Sequence, residues 1–182
     1  NGCSPLTVNF NNQTTPLDNP VYNWSFGTGA TSALADPTYT YNNHGTYAVQ
    51  MIVTNLGGCA DTATATIVVD PSPVAIAQAD VTTGCSPLTV NFSEASTDAV
   101  SYIWNFGDGS TSTSQTPSHT YTTGASYTVT LIVTSATGCT DTLVFGTPIS
   151  VDQTPNASFT RSPVFGCEPL SVLFNSTSSL LN

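Results

Sequence analysis

Apolar and polar side chains alternate along most of this chain, which is the period of a strand with one buried face. The sharpest case is Tyr102-Ile103-Trp104-Asn105-Phe106-Gly107-Asp108-Gly109, where three aromatics share a face and a glycine turn ends the run. Glycine reaches positive φ without steric cost, so Gly-Asp-Gly reads as a tight turn. The pattern occurs earlier as Tyr22-Asn23-Trp24-Ser25-Phe26-Gly27-Thr28-Gly29, and both tryptophans of the chain, Trp24 and Trp104, stand in it. A short strand in a small sandwich must bury one face. Trp24 and Trp104 are therefore expected in a core rather than on a sugar-stacking surface.

Further strands follow in order. Val74 to Asp80 is expected to open a domain. Leu88, Val90 and Phe92 point inward on a second strand, and Tyr102, Trp104 and Phe106 on a third. Pro117–Tyr121 is a short element after a polar crossing, and Tyr127, Val129, Leu131 and Val133 mark one long strand. Gly138-Cys139-Thr140-Asp141 is a turn, and Leu143 to Val151 closes the domain. In the earlier copy the closing strand runs from Thr62 to Val69, with Ala63, Ala65, Ile67 and Val69 inward and threonines outward. No segment has the period of a helix.

The pattern repeats as a whole. Gly2-Cys3-Ser4-Pro5-Leu6-Thr7-Val8-Asn9-Phe10 returns at residues 84–92 and, altered, at residues 166–174. Cys3, Cys85 and Cys167 stand at a constant interval of 82 residues (85 − 3 and 167 − 85). A period of this size means an array of whole domains. The expected division is 1–72, a repeat lacking its first strand; 73–153, a complete repeat; and 154–182, the start of a third. The fold class is all-β, tandem immunoglobulin-like β-sandwiches of about seven strands each.

Composition narrows the partners. Hydrophobic residues make up 39% of the 182, which excludes a disordered acidic tail. Charged residues are only 7%, net charge is −10, Arg161 is the one basic residue and lysine is absent. No basic patch can be built, so nucleic acid and anionic membrane surfaces are excluded as partners. No apolar run is long enough for membrane insertion in this stretch. The chain opens inside a repeat, so an export signal is expected to lie outside it.

The motifs carry a family resemblance. Trp104-Asn105-Phe106-Gly107-Asp108-Gly109, then Pro117-Ser118-His119-Thr120-Tyr121, then residues 127–134 resemble the PKD (polycystic kidney disease) domain. The first repeat departs from it at Thr28 and Tyr39, which replace the motif Asp and His. The pairing of Gly-Cys-Ser-Pro-Leu-Thr-Val with Gly-Cys-x-Asp-Thr is similar to PKD arrays on large surface and gliding adhesins of Bacteroidota. That resemblance implies type IX secretion, an extracellular cell-surface location and a role in adhesion or gliding motility. The implied function is a non-enzymatic structural repeat of an adhesin, stalk or filament, passing force to an adhesive element elsewhere. Its partners would be neighbouring repeats, other copies in a filament, and surface glycans or a host or substratum reached through other regions. The alternative is a polysaccharide-binding or spacer module of a secreted hydrolase. A third reading, an ice- or crystal-binding face built on Thr62, Thr64 and Thr66, conflicts with the long period.

Catalytic chemistry is not expected. His44 and His119 do not align between repeats, and a histidine exchanged for Tyr39 reads as a packed strand residue. Neither Gly27-Thr28-Gly29 nor Gly107-Asp108-Gly109 is followed by lysine or helix, so neither is a phosphate cradle. Five cysteines, Cys3, Cys59, Cys85, Cys139 and Cys167, point to disulfides rather than zinc, because no Cys-x-x-Cys pair exists. Cys85 precedes the second strand and Cys139 follows the sixth, and these strands run the same way in such a sandwich. Their separation of roughly 20 Å exceeds the 7 Å or so a disulfide spans. An inter-domain Cys3–Cys139 bond is therefore favoured, with Cys59 left for a preceding repeat, Cys85 for the third and Cys167 for a fourth. The within-repeat pairs Cys3–Cys59 and Cys85–Cys139 stay open, since strand direction is inferred. A stapled junction would stiffen the short linker Asp70-Pro71-Ser72-Pro73.

No cofactor is expected. Calcium is the one ion weighed: Asp70, Asp98 and Asp141 would be its ligands, with solvated turn carboxylates as the plainer reading. Thr62 and Thr142 follow aspartate in the Asp-Thr-apolar pattern that Bacteroidota O-glycosylate, and are glycosylation candidates. The Asn-x-Ser/Thr sites at Asn12 and Asn156 count for little in a bacterial protein.

Overall fold

A computed structural model describes residues 1–15, 19–162 and 164–179. Every regular element among them is a strand. The first repeat holds β1 (Gly2–Cys3), β2 (Leu6–Asn9), β3 (Val21–Ser25), β4 (Thr31–Ser32), β5 (Thr38–Tyr41), β6 (Gly45–Thr54) and β7 (Ala60–Asp70). One sheet has the order β1-β7-β6-β3-β4 and the other is β2-β5. The second repeat holds β8 (Ala77–Ala79), β9 (Thr83–Cys85), β10 (Leu88–Glu94), β11 (Ser101–Asn105), β12 (Thr111–Ser112), β13 (Ser118–Tyr121), β14 (Ala125–Tyr127), β15 (Thr130–Thr134), β16 (Thr140–Val144) and β17 (Ile149–Asp152). Its sheets are β13-β10-β8, β12-β11-β15-β16 and β14-β17-β9. The opening of the third repeat is a pair, β18 (Phe159–Ser162) with β19 (Leu173–Ser176). The fold is all-β, in tandem immunoglobulin-like domains.

The chain divides into two compact units. One is Asn1–Val74 with Ser96–Val100 and Val133–Asp141. The other is Ala75–Ala95 with Ser101–Ile132 and Thr142–Asn182. In the first, Trp24, Phe26, Tyr41, Val49, Met51 and Val69 form the core. In the second, Trp104, Tyr121, Leu131 and Ile149 are fully buried, with Phe92 and Phe106 beside them. The alternation read from the sequence produces these cores directly: β10 buries Val90 and Phe92 and exposes Thr89, Asn91 and Ser93.

Two expectations need correction. Residues 127–133 do not form one strand in the second repeat, nor do residues 143–151. The first run breaks after Tyr127, and the second is split into β16 and β17 by Phe145-Gly146-Thr147-Pro148. In the first repeat both strands are continuous, and β6 and β7 pair from Gly45↔Val69 to Thr54↔Ala60. The cause is a two-residue insertion. Val69 follows Cys59 by 10 positions (69 − 59), whereas Val151 follows Cys139 by 12 (151 − 139). A strand cannot absorb two extra residues and keep its ladder, so they bulge out. Phe145 turns inward, its N–H donates to the Val129 carbonyl at 3.0 Å, and its ring lies 6.0 Å from Phe92 and 6.4 Å from Trp104.

The second point concerns Ala63 and Ala65, which take the inner face as expected but are not covered. Both are exposed, and they line an open cavity of about 450 Å³ whose floor is Trp24, Val49 and Met51. The reason is a missing cover. In the second repeat, β8 pairs with β10 through Phe92↔Ala79, Ser93↔Gln78 and Glu94↔Ala77. The equivalent stretch of the first repeat, Phe10-Asn11-Asn12, pairs with no strand among the described residues.

Candidate functional site

The Gly-x-Gly turns hold the most concentrated polar chemistry. Gly107 sits at φ 85°, and a Cβ built there would stand 2.7 Å from the Thr128 carbonyl oxygen. Glycine is required twice over, by conformation and by close approach. The Asn105 side-chain oxygen accepts the Gly107 N–H at 2.9 Å, and one Asp108 carboxylate oxygen accepts the Ser110 N–H at 2.9 Å. The other Asp108 oxygen lies 2.7 Å from His119 Nε2. Burial alone would raise the Asp108 carboxyl. Hydrogen bonds from the Ser110 backbone and from His119 overcome that and hold it below its ordinary value.

A histidine beside a carboxylate can be a general base. Here the ring is a packing element. It stacks flat on Phe106, with centroids 4.3 Å apart and planes 2° from parallel, and meets Tyr121 edge-on at 4.7 Å. In the first repeat the same place holds Thr28 Oγ1 and the Tyr39 hydroxyl, also 2.7 Å apart, with Tyr39 stacked on Phe26 at 4.4 Å. A pair that exchanges carboxylate–imidazole for hydroxyl–phenol at the same distance clasps the turn to its neighbouring strand. It has no chemistry in common to perform. His44 is exposed and belongs to no such pair in the arrangement above.

Beneath each turn lies the predicted tryptophan. Trp104 is fully buried and Trp24 is 7% exposed. Their indole N–H groups donate to the Ser114 and Leu34 carbonyls, each at 3.0 Å. The Tyr121 and Tyr41 hydroxyls donate to the Phe106 and Phe26 carbonyls at 2.9 and 3.2 Å. Burial pushes both phenols upward. Sequence reading missed these tyrosine locks. Their signal was available, since Tyr41 and Tyr121 each follow the turn aromatic by 15 residues.

Cys3 and Cys139 form a disulfide with Cα atoms 5.6 Å apart and a sequence separation of 136. It joins the opening of the first sequence repeat to the Gly138-Cys139 turn of the second, and both ends lie in the first compact unit. Cys59, Cys85 and Cys167 are free and exposed. The linker is pinned from its own side. The Ser72 hydroxyl donates to the Ser4 carbonyl, and the Ser4 N–H donates to the Asp70 carbonyl at 2.9 Å. Thr154 repeats the contact on the Ser86 carbonyl.

Among the described residues no group of three or more His, Cys, Asp or Glu side chains could hold a metal, and the structure does not gather Asp70, Asp98 and Asp141 into one. Asp98 lies in an exposed turn at φ 57°. Thr62 and Thr142 are exposed, but on β7 and β16 rather than in the preceding turns. Asn12 is tied into its loop, its N–H bonded to an Asp36 carboxylate oxygen at 2.7 Å, while Asn156 is exposed.

Two sandwiches, each with a buried tryptophan under a clasped glycine turn, define a class of immunoglobulin-like β modules. The PKD domain model matches residues 1–70 and 68–147, and the chain belongs to the PKD domain family. It is 47% identical over 75 residues to the pre-pro-metalloprotease PrtV of Vibrio cholerae, a match covering 41% of this chain and 8% of that protein. It is 42% identical over 82 residues to a microbial collagenase of Vibrio alginolyticus, covering 41% of this chain and 10% of the collagenase. Among solved structures, the PKD1 domain of the Vibrio cholerae metalloprotease PrtV is 40% identical. That match covers 44% of this chain and 98% of the domain, with a TM-score of 0.39. The chain thus corresponds to a small part of these larger relatives.

Proposed function

We propose that this chain is a structural stretch of an exported surface protein, a stalk or filament of PKD repeats that holds an adhesive element away from its anchor. The observation that carries the reading is the Cys3–Cys139 bond. It ties one repeat to a turn of the next across the proline linker, so tension entering at the first repeat has a covalent route that skips the linker. A disulfide also fits an oxidising, extracellular setting. The Thr28–Tyr39 replacement of Asp108–His119 supports a role without catalysis. On this reading the partners are neighbouring repeats and other copies of the array, and export follows the type IX route of the Bacteroidota adhesins it resembles. Exposed Thr62 and Thr142 are then O-glycan acceptors, and the native protein should exceed its sequence mass by the glycan. Calcium has no part in it, so chelator and millimolar Ca²⁺ should leave the melting temperature equal.

A second reading is favoured by the relatives. PKD domains similar to these lie in proteins named as a metalloprotease and collagenases, where a spacer or substrate-binding module would serve. Retention on insoluble collagen and on insoluble polysaccharides separates the two. The stalk reading expects the oxidised chain to pass through both columns unretarded. Retention on either would move the assignment to the hydrolase module.

A further inference from the structure

β7 presents a backbone edge left open by its place in the sheet. The order there is β1-β7-β6-β3-β4, and β1 meets β7 only at Val69 and Asp70. Ala60–Thr66 are all exposed and pair with no strand on the side away from β6 among the described residues. The second repeat, with its opening strand in place, leaves the same edge free. There β8 pairs with β10 in the other sheet, and β16 still stands at the end of its own. The parallel partner β9 reaches only Ser150, the counterpart of Val68 (each precedes by one the residue opposite the glycine). The backbone groups that face outward follow from two bonds. The Cys59 carbonyl accepts the Asn55 N–H on the β6 side at 3.0 Å, and the Asp70 carbonyl accepts the Ser4 N–H on the other side at 2.9 Å. Successive residues alternate between the two sides of a strand, so Thr62, Thr64 and Thr66 aim their N–H and C=O groups at the open edge.

The two repeats treat this edge differently. β16 is five residues long and stops at Phe145-Gly146-Thr147-Pro148, and a bulge carrying proline spoils the addition of a further strand. β7 runs for eleven residues without proline, and Asp61 is its one charge before Asp70. The strand is also self-complementary. Thr62-Ala63-Thr64-Ala65-Thr66 reads the same in both directions, so an antiparallel copy centred on Thr64 sets Thr62 opposite Thr66 and Ala63 opposite Ala65. Threonine then meets threonine on the outer face, a favourable cross-strand pair, and alanine meets alanine where the side chains come closest. Asp61 falls opposite Ile67, which keeps the two Asp61 carboxylates about 20 Å apart, beyond the reach of unscreened repulsion. We propose that the β7 edge is a self-association surface. β7 of one copy pairs antiparallel with β7 of a second about a two-fold axis at Thr64, through about six backbone hydrogen bonds from three residue pairs. Such a contact closes on two copies and does not run on into a fibre. Its role rests on the stalk reading above, where it ties two chains to each other, but the pairing itself rests on the edge alone.

The test uses the whole 182-residue chain with Cys59→Ser, Cys85→Ser and Cys167→Ser, so that no disulfide between copies can imitate the contact. A glycan on Thr62 would crowd Thr66 of the second copy, so the chain is measured without one. Sedimentation equilibrium should show a monomer and dimer in exchange, with the dimer favoured as salt is added, since each copy carries a net charge of −10. Thr64→Lys and Thr64→Glu, at an exposed position, each set like charges face to face at the axis and should weaken the dimer about fivefold. An equimolar mixture of the two variants sets Lys opposite Glu and should restore the affinity. Equal melting temperatures check that both variants fold. A chain that stays monomeric at every concentration overturns the proposal. So does a dimer indifferent to Thr64→Lys, a dimer lost instead with Thr142→Lys on β16, or a mixture no tighter than either variant alone. Each of these outcomes leaves the column test of the stalk reading standing, because that test concerns what a single chain retains.

Discussion

At the scale of single residues the glycine turns decide most. Gly107→Ala meets both a positive φ and the Thr128 carbonyl at 2.7 Å, whereas Gly109, at φ 93°, has open space around it. Gly107→Ala should destabilise the second sandwich by about 2–4 kcal/mol and Gly109→Ala by about 1 kcal/mol, read as urea midpoints. Equal losses at the two sites would show that backbone strain alone matters. Asp108 supplies a pH test. Its carboxyl is lowered in the folded protein, so its stabilisation is complete above the ordinary carboxylate value of about 4. That stabilisation is lost as pH falls through the lowered folded value. The wild-type melting temperature should therefore drop more steeply below pH 4 than that of Asp108→Asn. Asp80, lowered by its bonds from Asn91, titrates in both proteins and cancels in the comparison. The turn and its tryptophan were legible in the sequence because Tyr-x-Trp-x-Phe-Gly-x-Gly combines strand period and turn chemistry in eight residues. The clasp between Asp108 and His119 was not, since neither residue marks its partner without the fold.

At the scale of elements, periodicity gave strand existence and facing, and it failed where an insertion preserved the pattern. Leu143 and Phe145 keep the alternation up to the break, so nothing in the local sequence separates one strand from two. The signal lay in the count between Cys139 and Val151, set against that between Cys59 and Val69. Ala63 and Ala65 show the complementary failure. Their positions on the inner face followed from period two, but burial needs a covering strand, which period cannot supply. The ring of Phe145 packs between Phe92 and Trp104 while part of it stays exposed, so Phe145→Ala should cost about 2–3 kcal/mol, the low end for a buried aromatic. A loss below 0.5 kcal/mol in chemical denaturation would mean the bulge is a surface ornament and not part of the core.

At the scale of the whole molecule the disulfide dominates. Strand direction was the only route to it from sequence, because composition and spacing alone permit Cys3–Cys59 equally well. With the chain held at its ends, the bond removes the 136-residue interval from the extensible length. Cys3→Ser should lengthen the fully stretched chain by roughly 480 Å in single-molecule pulling, at about 3.5 Å per residue. An unchanged length would mean the bond is not formed in the native protein. The insertion at Phe145 also bears on how such an array is made. Tandem copies of one fold are prone to exchanging equivalent strands while folding. Here the repeats differ beside such a strand: the second places the ring of Phe145 against Phe92, where the first has Ala65. Two added residues thus make neighbouring domains poor recipients of each other's strands. Bulk at one position would then oppose wrong pairing without altering the motif that makes each repeat fold.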